Sequence, residues 1–117
     1  MANLAQKFFD SLDPDCVDTI AHNTLLHIWA GSHARENMNK EKALSQVLEV
    51  YNRLVAKSTP DEVSYYIAMR ACTDLSVDQN EREMALKKLV DDARERGLLN
   101  SKVMDELKFA ISKERRE

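Results

Sequence analysis

An internal repeat restricts the fold of this chain more than any other feature of its sequence. The segment TIAHNTLLHIWA, residues 19–30, aligns without gaps with EVSYYIAMRACT, residues 62–73, so that Ile20 matches Val63 and Leu26 matches Met69. Each copy precedes a loop and a longer helical pattern that ends in a basic turn. Helix pairs of this size cannot cover their own apolar faces, so successive pairs stack. The repeat therefore predicts an all-α fold, a right-handed α-solenoid of antiparallel helix pairs.

Composition agrees with a single helical domain. The chain has 117 residues, of which 44% are hydrophobic and 32% charged, with only two Gly and two Pro to mark turns. Apolar periodicity and capping residues predict six helices, over residues 2–12, 16–31, 39–57, 61–73, 80–96 and 101–113. The repeat divides the chain into a half repeat, two full repeats, a second half repeat and a tail, at 1–15, 16–60, 61–99, 100–113 and 114–117.

The same periodicity predicts the core. In the second helix Ile20, Thr24 and Ile28 form a stripe, which Leu25 and Trp29 flank. The third helix carries two adjacent apolar stripes, as expected for a helix that packs on two sides. We expect burial of five large side chains: Trp29, Leu48, Tyr51, Ile67 and Leu89. A Leu48→Ala substitution is then expected to lower the free energy of unfolding by about 2 to 5 kcal/mol.

Charge and cysteine content restrict the partners. A net charge of −3 gives no large positive field for nucleic acid or anionic lipid, so any such binding has to be local. Cys16 and Cys72 show no pairing pattern and are expected to be buried thiols. The sequence contains no apolar run of about 20 residues, so we expect no membrane insertion. Its first residues lack the character of a transit peptide, so we expect that either there is no targeting segment or it was removed.

Catalytic and metal-binding patterns are missing from the sequence. His27 and His33 are six residues apart, which does not place them on one helical face, and His22 is interpreted as a packing residue. The four aspartates between residues 10 and 18 are interpreted as a solvated capping region. With only two glycines there is no phosphate-binding loop. The sequence predicts a protein without catalytic residues, metal site, cofactor or small-molecule substrate.

Three strings resemble pentatricopeptide repeats: IAHNTLLHIWA, TPDEVSYYIAMRAC and ALKKLVDDARERGLL. That family's signature runs through Val-Thr-Tyr-Asn-x-Leu-Ile, a loop, Ala-x-x-Leu-x-x-x-Met, Gly and Pro-Asp. The likeness spans almost the whole chain, although the loops are longer than the family's tight turn and Asn100-Ser101 replaces the last Pro-Asp. Tetratricopeptide repeats share the hairpin architecture but lack the Pro-Asp opening, so they are the second choice.

The resemblance implies binding of single-stranded RNA in mitochondria or plastids, with one base read by two residues of each repeat. Carried over to this sequence, Asn23 and Asp61 are the first reading pair, and Tyr66 and Ser101 are an atypical second pair. In the trailing half repeat the matching position is Glu106, an anion where a phosphate backbone would pass. The alternative for Asn23 and Asp61 is a structural role at the start of a helix.

Two functions follow from these observations. The first is a small helical-repeat adaptor or structural subunit that contacts other protein subunits in a larger, organellar assembly; outside an organelle the expected location is the cytoplasm. Its expected anchors are Phe8, Phe9 and Phe109, since the terminal helices of a repeat stack have an uncovered outer face. The second is a single-stranded RNA-binding module for organellar RNA processing or translation. The net acidity and the short array favour the adaptor.

Overall fold

The computed structural model describes residues 2–12, 18–57, 60–76, 78–106 and 108. These residues form helices and contain no β-strand. Six helices have the bounds α1 Ala2–Ser11, α2 Thr19–Ala30, α3 Ser32–Glu36, α4 Lys40–Lys57, α5 Glu62–Leu75 and α6 Gln79–Glu95. Residues 101–106 form a further helical segment, α7. All six predicted helices are therefore present in their described parts, and residues 107–113 of the last one lie outside them except for Lys108.

The short helix α3 was missed because it lies in a segment that we interpreted as a loop. Asn37 ends it in a left-handed conformation, with φ 58° and ψ 29°, which asparagine tolerates better than most residues. The Ser32 hydroxyl donates to the backbone carbonyl of Trp29 at 2.7 Å, so α3 continues almost directly from the end of α2. Five residues give too little periodicity to predict a helix.

Helices that are close in the sequence pack on one another. Helix α2 packs on α4 and α5, α4 also packs on α5, and α5 packs on α6, while α1 packs on α2. The described part of the chain measures 43 × 35 × 19 Å, and its smallest dimension equals about two helix diameters. The helices are thus arranged about two layers thick.

The core lies between α2, α4, α5 and α6. Trp29, Tyr51 and Leu89 are buried as predicted, whereas Leu48 and Ile67 are only half-buried. The buried positions of α4 include Val47, Val50 and Leu54, and the helix packs on both α2 and α5. The largest side chains of the core are at most 3% exposed: Leu25, Leu26, Trp29, Val47, Val50, Tyr51, Leu54, Tyr65, Met69 and Leu89.

The apolar stripe predicted for α2 lies on the wrong side of the helix. Ile20 is 73% exposed and Thr24 is also exposed, whereas Leu25, Leu26 and Trp29 are buried. The α2 sequence is apolar around most of its circumference, so spacing alone does not identify the side that packs. The consequence is an exposed apolar face on α2.

Candidate functional site

Helices α2, α5 and α7 begin in the same way. The side chains of Asp18, Asp61 and Asn100 each accept a hydrogen bond from the backbone N–H three residues further on, at 2.9, 3.0 and 3.0 Å respectively. Short polar side chains at this position satisfy one of the unpaired N–H groups of a helix start. The first residues of α2, α5 and α7 are therefore equivalent, and positions along these helices can be compared by counting from their caps.

Asn23 and Asp61, the first predicted reading pair, are in direct contact. The Asn23 carboxamide donates to Asp61 Oδ1 at 3.0 Å and accepts from the Ser64 hydroxyl at 2.6 Å. Asn23 is only 9% exposed. Burial alone would raise the pKa of Asp61, but hydrogen bonds from Asn23 and Ser64 outweigh it and hold the pKa below its usual value. These two side chains join the start of α5 to α2.

Tyr66 and Ser101, the second predicted pair, do not reproduce this arrangement. Tyr66 is half-buried, and the ammonium group of Lys102 lies 4.9 Å from the centroid of its ring. Ser101 is exposed at the first residue of α7. Counted from the caps, Tyr66 is equivalent to Asn23, so both residues lie on the side of their helix that meets the next one. Tyr66 makes that contact with an aromatic ring instead of an amide.

Glu106, the position predicted to match Asn23 and Tyr66, does not face an open surface, and counting five residues from the Asn100 cap reaches Asp105 instead. It is 5% exposed, and one of its carboxylate oxygens lies 3.7 Å from Nη1 of Arg70 on α5. Its Oε1 atom is buried without a hydrogen-bond partner. Burial raises the pKa of Glu106, and the Arg70 guanidinium opposes that shift only in part. This carboxylate therefore belongs to the contact between α7 and α5.

An apolar groove separates α1 from α2 on the outside of the molecule. Its volume is about 210 Å³, and seven of its eight lining residues are apolar: Ala5, Phe8, Phe9, Leu12, Ala21, Leu25 and Ile28, with Thr24 as the eighth. Beside it Phe8 is 67% exposed and Leu4, one turn earlier, is 71% exposed. Ile20, one turn before Thr24, extends the same surface. Large apolar side chains that gather around one groove indicate an interaction surface.

Three contacts hold α1 in place beside this groove. The Phe9 ring packs edge-on against His22, with centroids 5.0 Å apart and an interplanar angle of 75°. The Trp29 indole N–H donates to Gln6 Oε1 at 2.8 Å. The backbone N–H of Ala2 donates to both carboxylate oxygens of Glu36 on α3, at 3.0 and 3.1 Å. Because α1 is anchored at both ends, Phe8 stays exposed on a fixed helix.

The predicted anchors thus differ in role. Phe8 is exposed on the groove, whereas Phe9 is half-buried and attaches α1 to α2. Phe109 lies outside the described residues. His22 is a packing residue as interpreted, being 1% exposed with its Nδ1 atom 2.8 Å from the backbone carbonyl of Asp18.

A second, larger groove between α4 and α6 was not predicted. Its volume is about 670 Å³, and at its base the hydroxyls of Tyr51 and Tyr65 both donate to Oδ2 of Asp92, the second at 2.7 Å. The Arg96 guanidinium donates to Oδ1 of the same carboxylate at 3.1 Å. Burial alone would raise the pKa of Asp92, but these hydrogen bonds hold it below its usual value. Both lysines and carboxylates line the groove, so its charges favour neither an anionic nor a cationic ligand.

Other candidate sites have structural contacts. The Nδ1 atom of His33 lies 2.6 Å from the backbone carbonyl of Met38, and His27 is exposed. Within the described residues no group of three or more His, Cys, Asp or Glu side chains could hold a metal ion. Cys72 is a buried free thiol whose pKa is raised by burial to about 12, while Cys16 lies outside the described residues.

None of the helices in the described ranges combines the length and apolarity needed to span a membrane. The chain matches no protein-family model, no curated protein and no solved structure. Its function is therefore inferred from its own residues.

Proposed function

We propose that this protein is a non-catalytic helical-repeat adaptor that binds a partner protein through the groove between α1 and α2. The observation that carries the proposal is the exposure of Leu4, Phe8 and Ile20, at 71%, 67% and 73%, around one apolar groove. Exposed aromatic side chains on a rigid support are common anchors of protein interfaces. A groove between two helices suits an amphipathic helix, whose apolar residues repeat every three or four positions.

A right-handed solenoid is the architecture that we propose around this groove. Helices α2, α5 and α7 begin with equivalent caps and follow one another through α2–α5 and α5–α7 contacts. Helices α4 and α6 pack beside them as the second members of each pair. The resemblance to pentatricopeptide repeats adds an organellar assembly as the proposed setting.

Single-stranded RNA binding is the alternative that the resemblance implies. The contacts of the first predicted reading pair weigh against it, because the Asn23 amide already donates to Asp61 and accepts from Ser64. Exposing these groups to a base would break hydrogen bonds between α2 and α5. Asp61 is also a carboxylate with a lowered pKa, and a phosphate backbone repels such a group.

Site-specific crosslinking in cells tests the adaptor function. A photo-crosslinking amino acid would replace Phe8 in the full chain, and in a control it would replace Lys42, an exposed residue of α4. We expect a discrete protein adduct from position 8 that position 42 does not give. A position-8 adduct to RNA, or no adduct while crosslinkers at positions 23 and 66 capture RNA, would contradict the adaptor function.

A further inference from the structure

Helix α7 meets α5 along one side of α5. Three side chains of α5 lie four residues apart and so share that side: Glu62, Tyr66 and Arg70. The Asn100 carboxamide donates to the Glu62 carboxylate, the Tyr66 ring lies beneath an ammonium group of α7, and Arg70 faces Glu106. The described α5–α7 contact therefore depends on charged and polar side chains.

One of these contacts places a carboxylate out of reach of water. Glu106 is 5% exposed, and its Oε1 atom is buried without a hydrogen-bond partner. Its Oε2 atom lies 3.7 Å from Arg70 Nη1, which is longer than a typical hydrogen bond. Burial of an ionised carboxylate with an unsatisfied oxygen costs free energy. Docking of α7 on α5 is therefore more favourable when the Glu106 side chain is neutral.

The Arg70 guanidinium compensates this burial only in part, because a second carboxylate shares it. Its Nε atom donates to Asp74 Oδ2 at 3.2 Å, one turn further along α5. Burial raises the pKa of Glu106, Arg70 lowers it and Asp74 raises it, and the net shift is upward. On α7 itself, Lys102 contacts the Tyr66 ring. Among the described residues, the two α5 side chains are thus the charged groups that decide the state of Glu106.

We propose that Glu106 is a proton-controlled switch for the docking of α7: the neutral side chain holds α7 closed on α5, and ionisation loosens it. Protonation removes the buried charge, and Arg70 keeps its hydrogen bond to Asp74 within α5. The α5–α7 contact is separate from the α1–α2 groove, so the switch does not depend on the proposed function of that groove.

The direction of the pH response follows from the two states of α7. When α7 is released, Glu106 returns to water and its pKa returns toward the ordinary value of 4.5, whereas docking raises the pKa. Docking is therefore strongest below the released-state pKa and weakens as the pH rises through the docked-state pKa. Acidification closes the contact.

Release of α7 changes the surface that the molecule presents at this end. Val103 on α7 is 0% exposed and belongs to the hydrophobic core cluster. Tyr66 is half-buried beneath the Lys102 ammonium group. Both side chains become more accessible when α7 leaves α5, so the switch converts a rise in pH into exposure of an apolar and an aromatic side chain.

Amide hydrogen exchange of the purified full chain tests the switch. The reporter is Met104, whose backbone N–H donates to the Asn100 carbonyl at 2.9 Å, and the reference is Leu54 in the core of α4. After correction for the intrinsic effect of pH on exchange, we expect Met104 to be less protected than Leu54 at pH 7 and to gain protection several-fold at pH 5. Equal protection of the two amides at both pH values would overturn the proposal, because α7 would then open only with the whole fold.

Two variants assign the response to Glu106. Glu106→Gln keeps the shape of the side chain but does not ionise, so we expect high Met104 protection at pH 7 and no gain at pH 5. Asp105→Asn, at an exposed residue of the same helix, is the matched control and keeps the wild-type gain. A wild-type gain that persists in Glu106→Gln would contradict the proposal.

A titration of the wild-type chain provides a test that needs no variant. Carbon-13 NMR of the side-chain carboxyl groups follows the ionisation of Glu106 directly. We expect its midpoint above the ordinary value of 4.5, together with a gain of Met104 protection over the same pH range. A midpoint at or below that value would overturn the switch, because docking would then favour the ionised side chain.

Discussion

The Asn23 carboxamide of α2 donates a hydrogen bond of 3.0 Å to the carboxylate of Asp61, 38 positions along the chain. Asp61 uses the same oxygen to cap α5 through the Ser64 backbone N–H, and the Ser64 hydroxyl closes the set by donating to Asn23. An amide and a carboxylate that the resemblance assigns to base reading thus form a contact between two helices.

Removal of the Asn23 amide is expected to destabilise the fold. Asn23→Ala removes both hydrogen bonds that join α2 to Asp61 and Ser64, which then keep only the bonds that they make with each other, so the free energy of unfolding should fall by about 1 to 3 kcal/mol. Urea denaturation measures the change, with Asn52→Ala, at an exposed asparagine of α4, as the control. Equal stability of the two variants would show that the contact contributes nothing to stability.

Two leucines of α4 are expected to differ in how much they stabilise the fold. Leu54 is 0% exposed, so Leu54→Ala should lower the free energy of unfolding by about 2 to 5 kcal/mol. Leu48 is half-buried, and Leu48→Ala should lower it by roughly half as much, because less apolar surface returns to water. Thermal melting shows which variant is less stable. A larger loss of stability for Leu48→Ala than for Leu54→Ala would contradict the packing of α4.

Asp92 is expected to make stability depend on acidic pH. Hydrogen bonds from Tyr51, Tyr65 and Arg96 outweigh burial and lower its folded-state pKa below the ordinary value of 3.8. Its stabilisation is therefore present above the unfolded-state pKa and is lost as the pH falls through the folded-state pKa. Asp92→Asn should be less stable than wild type at neutral pH, and the difference should shrink in strong acid. Asp91→Asn, at an exposed neighbour, is the matched control because it removes the same charge.

Glu106 is expected to give stability the opposite dependence on pH. Burial raises its folded-state pKa above the ordinary value of 4.5, so its favourable contribution is present below the unfolded-state pKa and is lost as the pH rises through the folded-state pKa. Glu106→Gln removes a buried charge whose Oε1 atom has no hydrogen-bond partner, and it should stabilise the protein at neutral pH. Urea denaturation at neutral and acidic pH measures this, with Asp105→Asn as the exposed control. A destabilised Glu106→Gln at neutral pH would show that the Arg70 ion pair outweighs the burial.

The sequence predicted the long helices because their apolar periodicity and caps are local properties. Asp61 was predicted as a cap, and Trp29, Tyr51 and Leu89 as core residues, whereas Asp18 was interpreted only as part of a capping region and the start of α2 was placed three residues too early. The exposed position of Ile20 was not predictable, since α2 is apolar on most sides and only the location of α1 decides which side stays open.

The candidate sites were predicted less completely for a similar reason. Phe8 was named as an anchor from its place on a terminal helix, but the groove that it borders depends on how α1 packs on α2. The contact of Tyr51 and Tyr65 with Asp92 joins residues of three helices. No local spacing in the sequence indicates such a contact.

Residue-resolved NMR spectra of the ¹⁵N-labelled chain test most directly that the α1–α2 groove, and not the Asn23–Asp61 contact, is the binding surface. The spectra would be recorded after addition of a synthetic amphipathic helical peptide, the kind of segment that suits the groove, and, separately, of mixed-sequence single-stranded RNA at physiological salt. We predict that the peptide shifts the backbone resonances of Phe8, Thr24 and Ile28, and that RNA leaves the side-chain amide of Asn23 unchanged. Saturable RNA-dependent shifts at Asn23 and Tyr66, with the groove resonances constant under both additions, would contradict this account.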